Sequence, residues 1–532
     1  MKSLLARLCG FLLLITVLSC AKRGRPTGGP VDEEAPVILR AYPDNYSTRF
    51  NNQVIEIEFD EFIKLKDLQK QLVVSPPLEY QPVITPQGGV SKKLTIEIKD
   101  TLQDNTTYVL DFGQSIVDNN EGNPFPFFRY VFSTGDVIDS LTVKGKITDA
   151  LKFKSEKFVN VLLYEVNGEF VDTVVTKGKP NYVLNTLDSL STFTMQNIKA
   201  GTYKMVALKE DNRNLKFDPS SDKIGFVSDL ITVPSDQTYE LKLFKQAQEP
   251  SITKPIFKNP QRWDLGYTGP LDSLNLKSLP DYPISDLRIT KLTKKDTLEI
   301  WQKPAVIKDS VLFNAYYKQF TDTVKVFFKE EKKDSLVVSK SGKFGIGKNI
   351  LITATTPIED YNTNLFKLID KDSAVVQTNF KLDRFKNQLE LAIDSQENQK
   401  YKLQMLPEAI TDYFGAKNID TLNFTYNTNK SSSLGNIWVT LTGGKEFPIL
   451  VEIVDEKLEV VEQQTARENT TLEFNYLNPG NYYIRLIYDS NDNGRYDSGD
   501  FFKNKQPEKV EYFPELQKLQ ANWDLRQTVI IN

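Results

Sequence analysis

The sequence predicts an all-β protein assembled from tandem β-sandwiches. Two observations carry this. Apolar and polar residues alternate with period two in many short runs: Ile55, Ile57 and Phe59 against Glu56 and Glu58, Leu94, Ile96 and Ile98 against Thr95, Glu97 and Lys99, then Tyr482, Ile484 and Leu486. Such alternation marks strands with one buried and one wet face. Turn clusters such as DNNEGNP, KEDNRN and DSNDNG separate the runs at the spacing of sandwich strands. Helical patterns are few. LKDLQKQL puts Leu65, Leu68 and Leu72 on one face, and FPELQKLQ near the C-terminus predicts a second short helix.

The N-terminus sets the compartment. Lys2 and Arg7 precede the apolar run CGFLLLITVL (9–18), which is too short to span a bilayer and has the form of a secretory leader. The run ends in VLSC, which resembles a lipobox. Residues 1–19 are therefore expected to leave as a lipoprotein signal peptide, with lipid of the palmitate type on Cys20; a buried free thiol is the alternative. Cys9 would leave with the leader, so no thiol remains for a disulfide, a nucleophile or a thiolate metal site. The chain has no histidine, which excludes Ser-His-Asp and Cys-His catalysis and the usual zinc sites. Losing Lys2 and Arg7 takes the formal charge from −4 to −6. Charges of both signs are interspersed, without a basic stripe for nucleic acid.

Residues 20–35 read as a flexible tether, since AKRGRPTGGPVDEEA is rich in Gly, Pro and charge. It would reach roughly 20 Å as a coil and about 50 Å fully extended. Beyond it the chain repeats. FTMQNIKAGTYKMVALKEDNRNLKFD (193–218) aligns without gaps on LEFNYLNPGNYYIRLIYDSNDNGRYD (472–497), pairing Gly201 with Gly480, Tyr203 with Tyr482 and Asp218 with Asp497. A weaker echo sets TYVLDFGQSIVDNNEGN (107–123) against KYKLQMLPEAITDYFGAKN (400–418). The expected domains are 36–136, 141–246, a β-rich segment 250–340, 341–430 as a degenerate copy of the first, and 434–532 as a copy of the second.

APVILRAYPDN, VIEIEFDEFIKLKDLQKQLVVSPPL and YVLDFGQSIVDNNEGNPFPFFRYVFSTG resemble the SbsA-type bacterial Ig-like domain found at the front of many Bacteroidota lipoproteins. GTYKMVALKEDN and GNYYIRLIYDSNDNG resemble prealbumin-like or carboxypeptidase-regulatory-like sandwiches. Both resemblances imply non-catalytic modules.

Several stretches invite a sharper reading. In YDSNDNGRYDSGD, Asp489, Asn491, Asn493, Arg495, Asp497 and Asp500 fall at positions one, three, five, seven, nine and twelve, with Gly494 at six. This is the ligand spacing of a calcium loop, with a backbone carbonyl at seven. The alternative is a hairpin whose Asn, Asp and Gly satisfy their own backbone. The earlier copy has Glu210, Asn212, Asn214 and Asp218, but Leu215 replaces the glycine. GKFGIGKN (342–349) lacks the hydroxyl and the following helix of a phosphate loop, so no nucleotide is expected. NPFPFFRY (123–130) begins a strand with Phe127, Phe128 and Tyr130 in the core, or forms a contact patch with Phe125 at its tip. Trp263, Trp301, Trp438 and Trp523 are expected as core anchors.

Asp followed by Ser or Thr and an aliphatic residue or Ala occurs eleven times, where composition gives about two. It resembles the O-glycosylation acceptor of exported Bacteroidota proteins, implying glycans at residues such as Thr101, Ser140, Ser273 and Ser335; turn-to-strand junctions explain the pattern equally. Carboxylate pairs for glycoside hydrolysis depend on a separation that sequence spacing does not reveal.

The expectation is a non-catalytic lipoprotein, anchored in the outer membrane through Cys20, needing no cofactor beyond possible Ca2+. It would serve as a protein–protein scaffold or accessory of an envelope assembly or secretion machine. The alternative is a surface adhesin or glycan-binding lipoprotein. By resemblance to lipoprotein sorting rules, Ala21 after the cysteine favours the outer membrane, with its face left open by Lys22, Arg23 and Arg25.

Overall fold

The computed structural model describes residues 32–125, 127–187, 191–269, 274–278, 286–292, 295–303, 310–327, 332–444 and 446–531. The expected signal peptide, Cys20, most of the expected tether and Ser273 lie outside these. The described chain is a string of five β-sandwiches, each around its own apolar cluster.

In sandwich 1 the alternation predicts the faces. Ile55, Ile57, Phe59, Leu94 and Ile96 are fully buried, while Glu56 and Glu58 point outward. One sheet runs Ile38–Tyr42, Val54–Leu65, Ser91–Glu97, Val83–Thr85, with Ile116–Asp118 along the far end of Val54–Leu65. The facing sheet is Val73–Ser75, Thr107–Asp111, Arg129–Ser133. The predicted helix shrinks to Leu68–Gln71, because Leu65 still belongs to a strand; Leu65, Leu68 and Leu72 nonetheless pack on the core together.

Sandwich 4 repeats this wiring strand for strand: Val338–Ser341, Ile350–Ala354, Gln388–Ala392, Asn379–Asp383, faced by Phe366–Ile369, Lys400–Met405, Leu422–Asn427. Since Val338–Ser341 belongs to its sheet, this unit begins ahead of residue 341. The long strand of sandwich 1 is here split into Ile350–Ala354 and Ile358–Tyr361. Pro357 sits in the break and cannot donate to a ladder. Both copies share one lock: the Tyr108 hydroxyl accepts the Gln103 N–H (2.9 Å), and that of Tyr401 the Gln396 N–H (2.7 Å).

Sandwiches 2 and 5 also share a topology. Each has a parallel pair, Leu141–Asp149 with Thr238–Lys245 and Gly435–Thr442 with Asp524–Ile530. Tyr203 and Tyr482, matched in the repeat, donate their hydroxyls to the carbonyls of Lys199 (2.8 Å) and Asn478 (2.7 Å). The predicted C-terminal helix is instead a strand, Gln517–Leu519, pairing with Gly480–Tyr488. Gln517 and Leu519 alternate inward there, a period of two rather than 3.6.

Sandwich 3 packs two sheets around Trp263, which is fully buried, as is Trp301. Arg262 ties it to sandwich 4, meeting Glu299 (2.6 Å), Asp264 (3.1 Å) and Asp334 (3.4 Å) over the Trp301 ring. Of the four tryptophans only Trp263 is a core anchor; Trp301 is buried outside the core cluster, against Phe414 of sandwich 4. Trp438 lies on the outer face of its sheet under Arg526, and Trp523 is largely exposed. Both belong to outward-facing or pre-strand positions, which composition does not reveal.

Candidate functional site

The loop 489–500 leaves the central strand Gly480–Tyr488 of sandwich 5. Asp489 is buried, and its two carboxylate oxygens accept the N–H groups of Asn493 (3.0 Å) and Gly494 (2.8 Å). The amides of Asn491 and Asn493 donate to Asp497 Oδ2, and the Arg495 N–H donates to Asn493 Oδ1 (3.0 Å). Glu508 accepts from the Asp497 N–H (2.9 Å) and from Ser490. Five of the six residues at calcium-loop spacing are thus gathered around one turn. Asp500 is not among them; it is drawn away to Gln246 of sandwich 2, whose Nε2 donates to its Oδ1 (2.7 Å). Among the described residues no group of three or more Asp, Glu, His or Cys is placed to hold a metal ion. Hydrogen bonds close the turn by themselves.

Sandwich 2 builds the same turn. Glu210 stands where Asp489 does and accepts the N–H groups of Asn214 and Leu215, both at 2.9 Å. Burial pushes the Glu210 carboxyl up, and these two amides pull it part of the way back. The backbone matches too: Arg213 and Asp492 have φ of 52° and 55°, and Leu215 and Gly494 have 57° and 76°. A leucine in this left-handed region costs about 1–2 kcal/mol. Leu215 is held there by its packing on an apolar cluster outside the sandwich core.

That second cluster shows what the loops are for. On the strands Asn160–Glu165 and Gly201–Lys209, Val161, Leu163, Met205 and Ala207 face the core, while Leu162, Tyr164, Val206 and Leu208 form an apolar outer face. Phe501, just past the calcium-like spacing, closes this face from sandwich 5. Its ring lies 5.3 Å from Phe226 and 6.1 Å from Phe217. Its N–H donates to Gln246 Oε1 (2.9 Å), Ala247 N–H to Gly499 O (3.0 Å), and Gln506 Nε2 to Phe226 O (2.9 Å). A Cβ at Gly499 would stand 2.7 Å from the Phe244 ring and 2.8 Å from Lys505 O, so the approach requires glycine.

The docking is reciprocal. Phe153 of sandwich 2 stacks on Tyr483 (5.8 Å) and meets Tyr512 edge-on (6.0 Å) on the outer face of sandwich 5, and the Tyr512 hydroxyl donates to Leu151 O (2.7 Å). The two outer faces differ in kind at their middle cross-strand pair. Where sandwich 2 sets Leu162 opposite Val206, sandwich 5 sets Glu452 opposite Arg485. The Arg485 Nε lies 2.5 Å from Glu452 Oε2, with both side chains 6% exposed. Burial works to lower the Arg485 pKa, and the Tyr512 hydroxyl and Glu452 charge more than reverse it.

A cleft of about 630 Å³ separates sandwiches 1 and 2, lined by Leu68, Val73, Pro82, Phe158, Glu210 and Arg213 among others. Its buried acid is Glu210, whose oxygens are committed to backbone amides and to Asn160. Elsewhere Thr101, Ser140 and Ser335 are exposed. In NPFPFFRY, Phe125 packs on the core and Phe128 and Tyr130 are buried, whereas Phe127 is 54% exposed at φ 55°. The exposed tip is therefore Phe127, and the strand starts at Arg129. The docking residues escaped the sequence reading, although VNVLLY (159–164) and ILVEIV (449–454) are unbroken enough to signal strands covered on both faces.

Three comparisons bear on the chain. No curated protein matches it. Among solved structures, it is similar to BcpA, the major pilin subunit of Bacillus cereus, at 12% identity, covering 74% of this chain and 99% of that one with a TM-score of 0.14. The Bacillus anthracis TIE protein matches at 11% identity over 95% of this chain and 76% of that one, TM-score 0.15. The insect immune protein hemolin matches at 12% identity over 85% and 100%, TM-score 0.19. Scores this low carry no functional weight. The bacterial Ig-like domain model matches residues 32–134, which assigns sandwich 1 to that domain type.

Proposed function

We propose that this chain is a non-catalytic, lipid-anchored interaction scaffold of the bacterial outer membrane, an accessory of an envelope assembly or secretion machine. One observation supports this reading best: the end loops of the two repeated sandwiches are committed to gripping each other, through Phe501 and Phe153. The result is a composite body with sheet edges left for partners, rather than a cleft with free acid and base groups. The lipid on Cys20 supplies the anchor, and glycans at Thr101, Ser140, Ser273 and Ser335 decorate the surface. Pull-down of the tagged protein from its native membrane in mild detergent tests the reading. Stoichiometric envelope partners support it. A protein that comes down alone, and is cut by protease added to intact cells, is instead the adhesin.

A further inference from the structure

The two halves of the chain treat one side of their matched sandwiches differently. In sandwich 2, the edge strands Tyr182–Asn185 and Thr192–Ile198 share a side, and sandwich 1 closes it. The Val183 N–H donates to Ser75 Oγ (3.0 Å), while Arg129 donates to Gln196 and to Asn197 Oδ1 (3.3 Å). Asn197 sits in the left-handed region at φ 63° and is 8% exposed.

The matching side of sandwich 5 consists of Val460–Ala466 and Thr471–Leu477, tied by Gln464 Nε2 donating to Glu473 O (2.7 Å). Sandwich 4 reaches its corner through Lys348, 3.9 Å from Glu462, and leans on sandwich 3 through Arg288–Glu359 (2.6 Å) and Lys291 N–H to Phe385 O (2.7 Å). Much of the side stays open: Val460 and Val461 are each 48% exposed, and Tyr476 is 45% exposed. Val461 and Tyr476 stand equally far from the arch 467–470 that joins the two strands.

Tyr476 is the counterpart of Asn197 and keeps its backbone, at φ 60°. Asparagine tolerates this conformation, and a bulky aromatic residue does not. Sandwich 5 thus holds a strained, exposed tyrosine where sandwich 2 buries its residue against a neighbour. Tyrosine is a preferred interface anchor, and unpaired strand edges are templates for further pairing. The strands Val460–Ala466 and Thr471–Leu477, with Glu459 before the first, carry Glu459, Glu462 and Glu473 without a Lys or Arg, and the flanking Arg467 is paired with Asp492 (2.8 Å). Two such sides repel each other, so a basic partner complements this side better than a second copy does.

We propose that this side of sandwich 5 docks a β-structured partner protein presenting an edge strand with basic side chains, seated as sandwich 1 sits on sandwich 2. This rests on the scaffold reading and names its contact surface.

The test uses the full chain in its native membrane. A photo-cross-linking phenylalanine analogue is placed at position 461, at 476 and, as a control, at the exposed Thr528 on the opposite edge strand of the Tyr476 sheet. Tagged Tyr476→Asn and Val461→Lys variants are purified alongside. The expected result is one protein captured from 461 and 476 and not from 528, through a peptide bearing Lys or Arg on a strand. Recovery of that protein should fall at least tenfold in both variants, while Tyr476→Asn melts no lower than wild type because its backbone strain is relieved. Partners that co-purify undiminished with both variants overturn the docking site and leave the scaffold reading standing. A cross-linked product of two copies of this chain overturns the assigned occupant. Absence of any co-purifying protein overturns the scaffold reading and this site with it.

Discussion

Arg485→Val is expected to open sandwich 5 far more than its single ion pair suggests. Arg485 and Glu452 face each other across the two central strands, and the change leaves a carboxylate 6% exposed without its cation. The neighbouring Tyr512 hydroxyl already donates to Leu151 O and is a poor substitute. Orphaning a buried charge in this way costs about 4 kcal/mol, which is roughly a thousandfold in an opening equilibrium. The double variant Glu452→Leu/Arg485→Val installs the pair that sandwich 2 already uses, Leu162 opposite Val206. It should return to within about 1 kcal/mol of wild type, since replacing both members of a buried pair by apolar residues is often neutral. Hydrogen exchange of the peptides 449–455 and 480–488, followed by mass, reads the local opening. A double variant exchanging as fast as Arg485→Val would refute the reasoning, because the loss would then be one of shape rather than of an unpaired charge.

Phe501→Ala removes the ring that closes the outer face of sandwich 2 and should cost about 3–5 kcal/mol; faster exchange in 201–209 and 223–226, in a different sandwich, checks it. Glu156, in the loop that carries Phe153, has its pKa lowered to about 2 from 4.5, because hydrogen bonds and charge from Lys223 and Lys152 outweigh the upward push of burial. Its contribution is therefore present above about pH 4.5 and lost as pH falls toward 2. Melting curves of wild type should drop across that window, with Glu156→Gln showing a flatter profile. Adding calcium or a chelator should leave the melting temperature unchanged, since Asp489 and Asp497 already accept N–H donors and Asp500 faces Gln246; a calcium-dependent rise would show that the loop rearranges to bind it.

Local physics was the legible part. Alternation at Ile55 to Phe59 foretold a buried face because the strand period is two. The gapless repeat aligned Tyr203 with Tyr482 and Glu210 with Asp489, and each pair makes matching hydrogen bonds. The spacing gave no sign that Asp500 faces Gln246, 254 residues away, because spacing fixes neighbours along the chain and not across it. The same holds for Tyr476, whose exposure depends on which neighbouring sandwich closes its side. The helix expected in FPELQKLQ failed because pairing with Gly480–Tyr488 overrode local preference.

The grip between sandwiches 2 and 5 also orders events during biogenesis. During synthesis sandwich 2 is complete, with Leu162, Val206, Phe226 and Phe244 on one face, while the cover of that face, Phe501, is still two further sandwiches and most of a third away. Until then the nascent chain carries an apolar surface that a chaperone can hold or a protease can find. Closure by Phe501 ends that window: a chain stalled before sandwich 5 keeps the apolar face bare, and one that has passed it covers the face on folding.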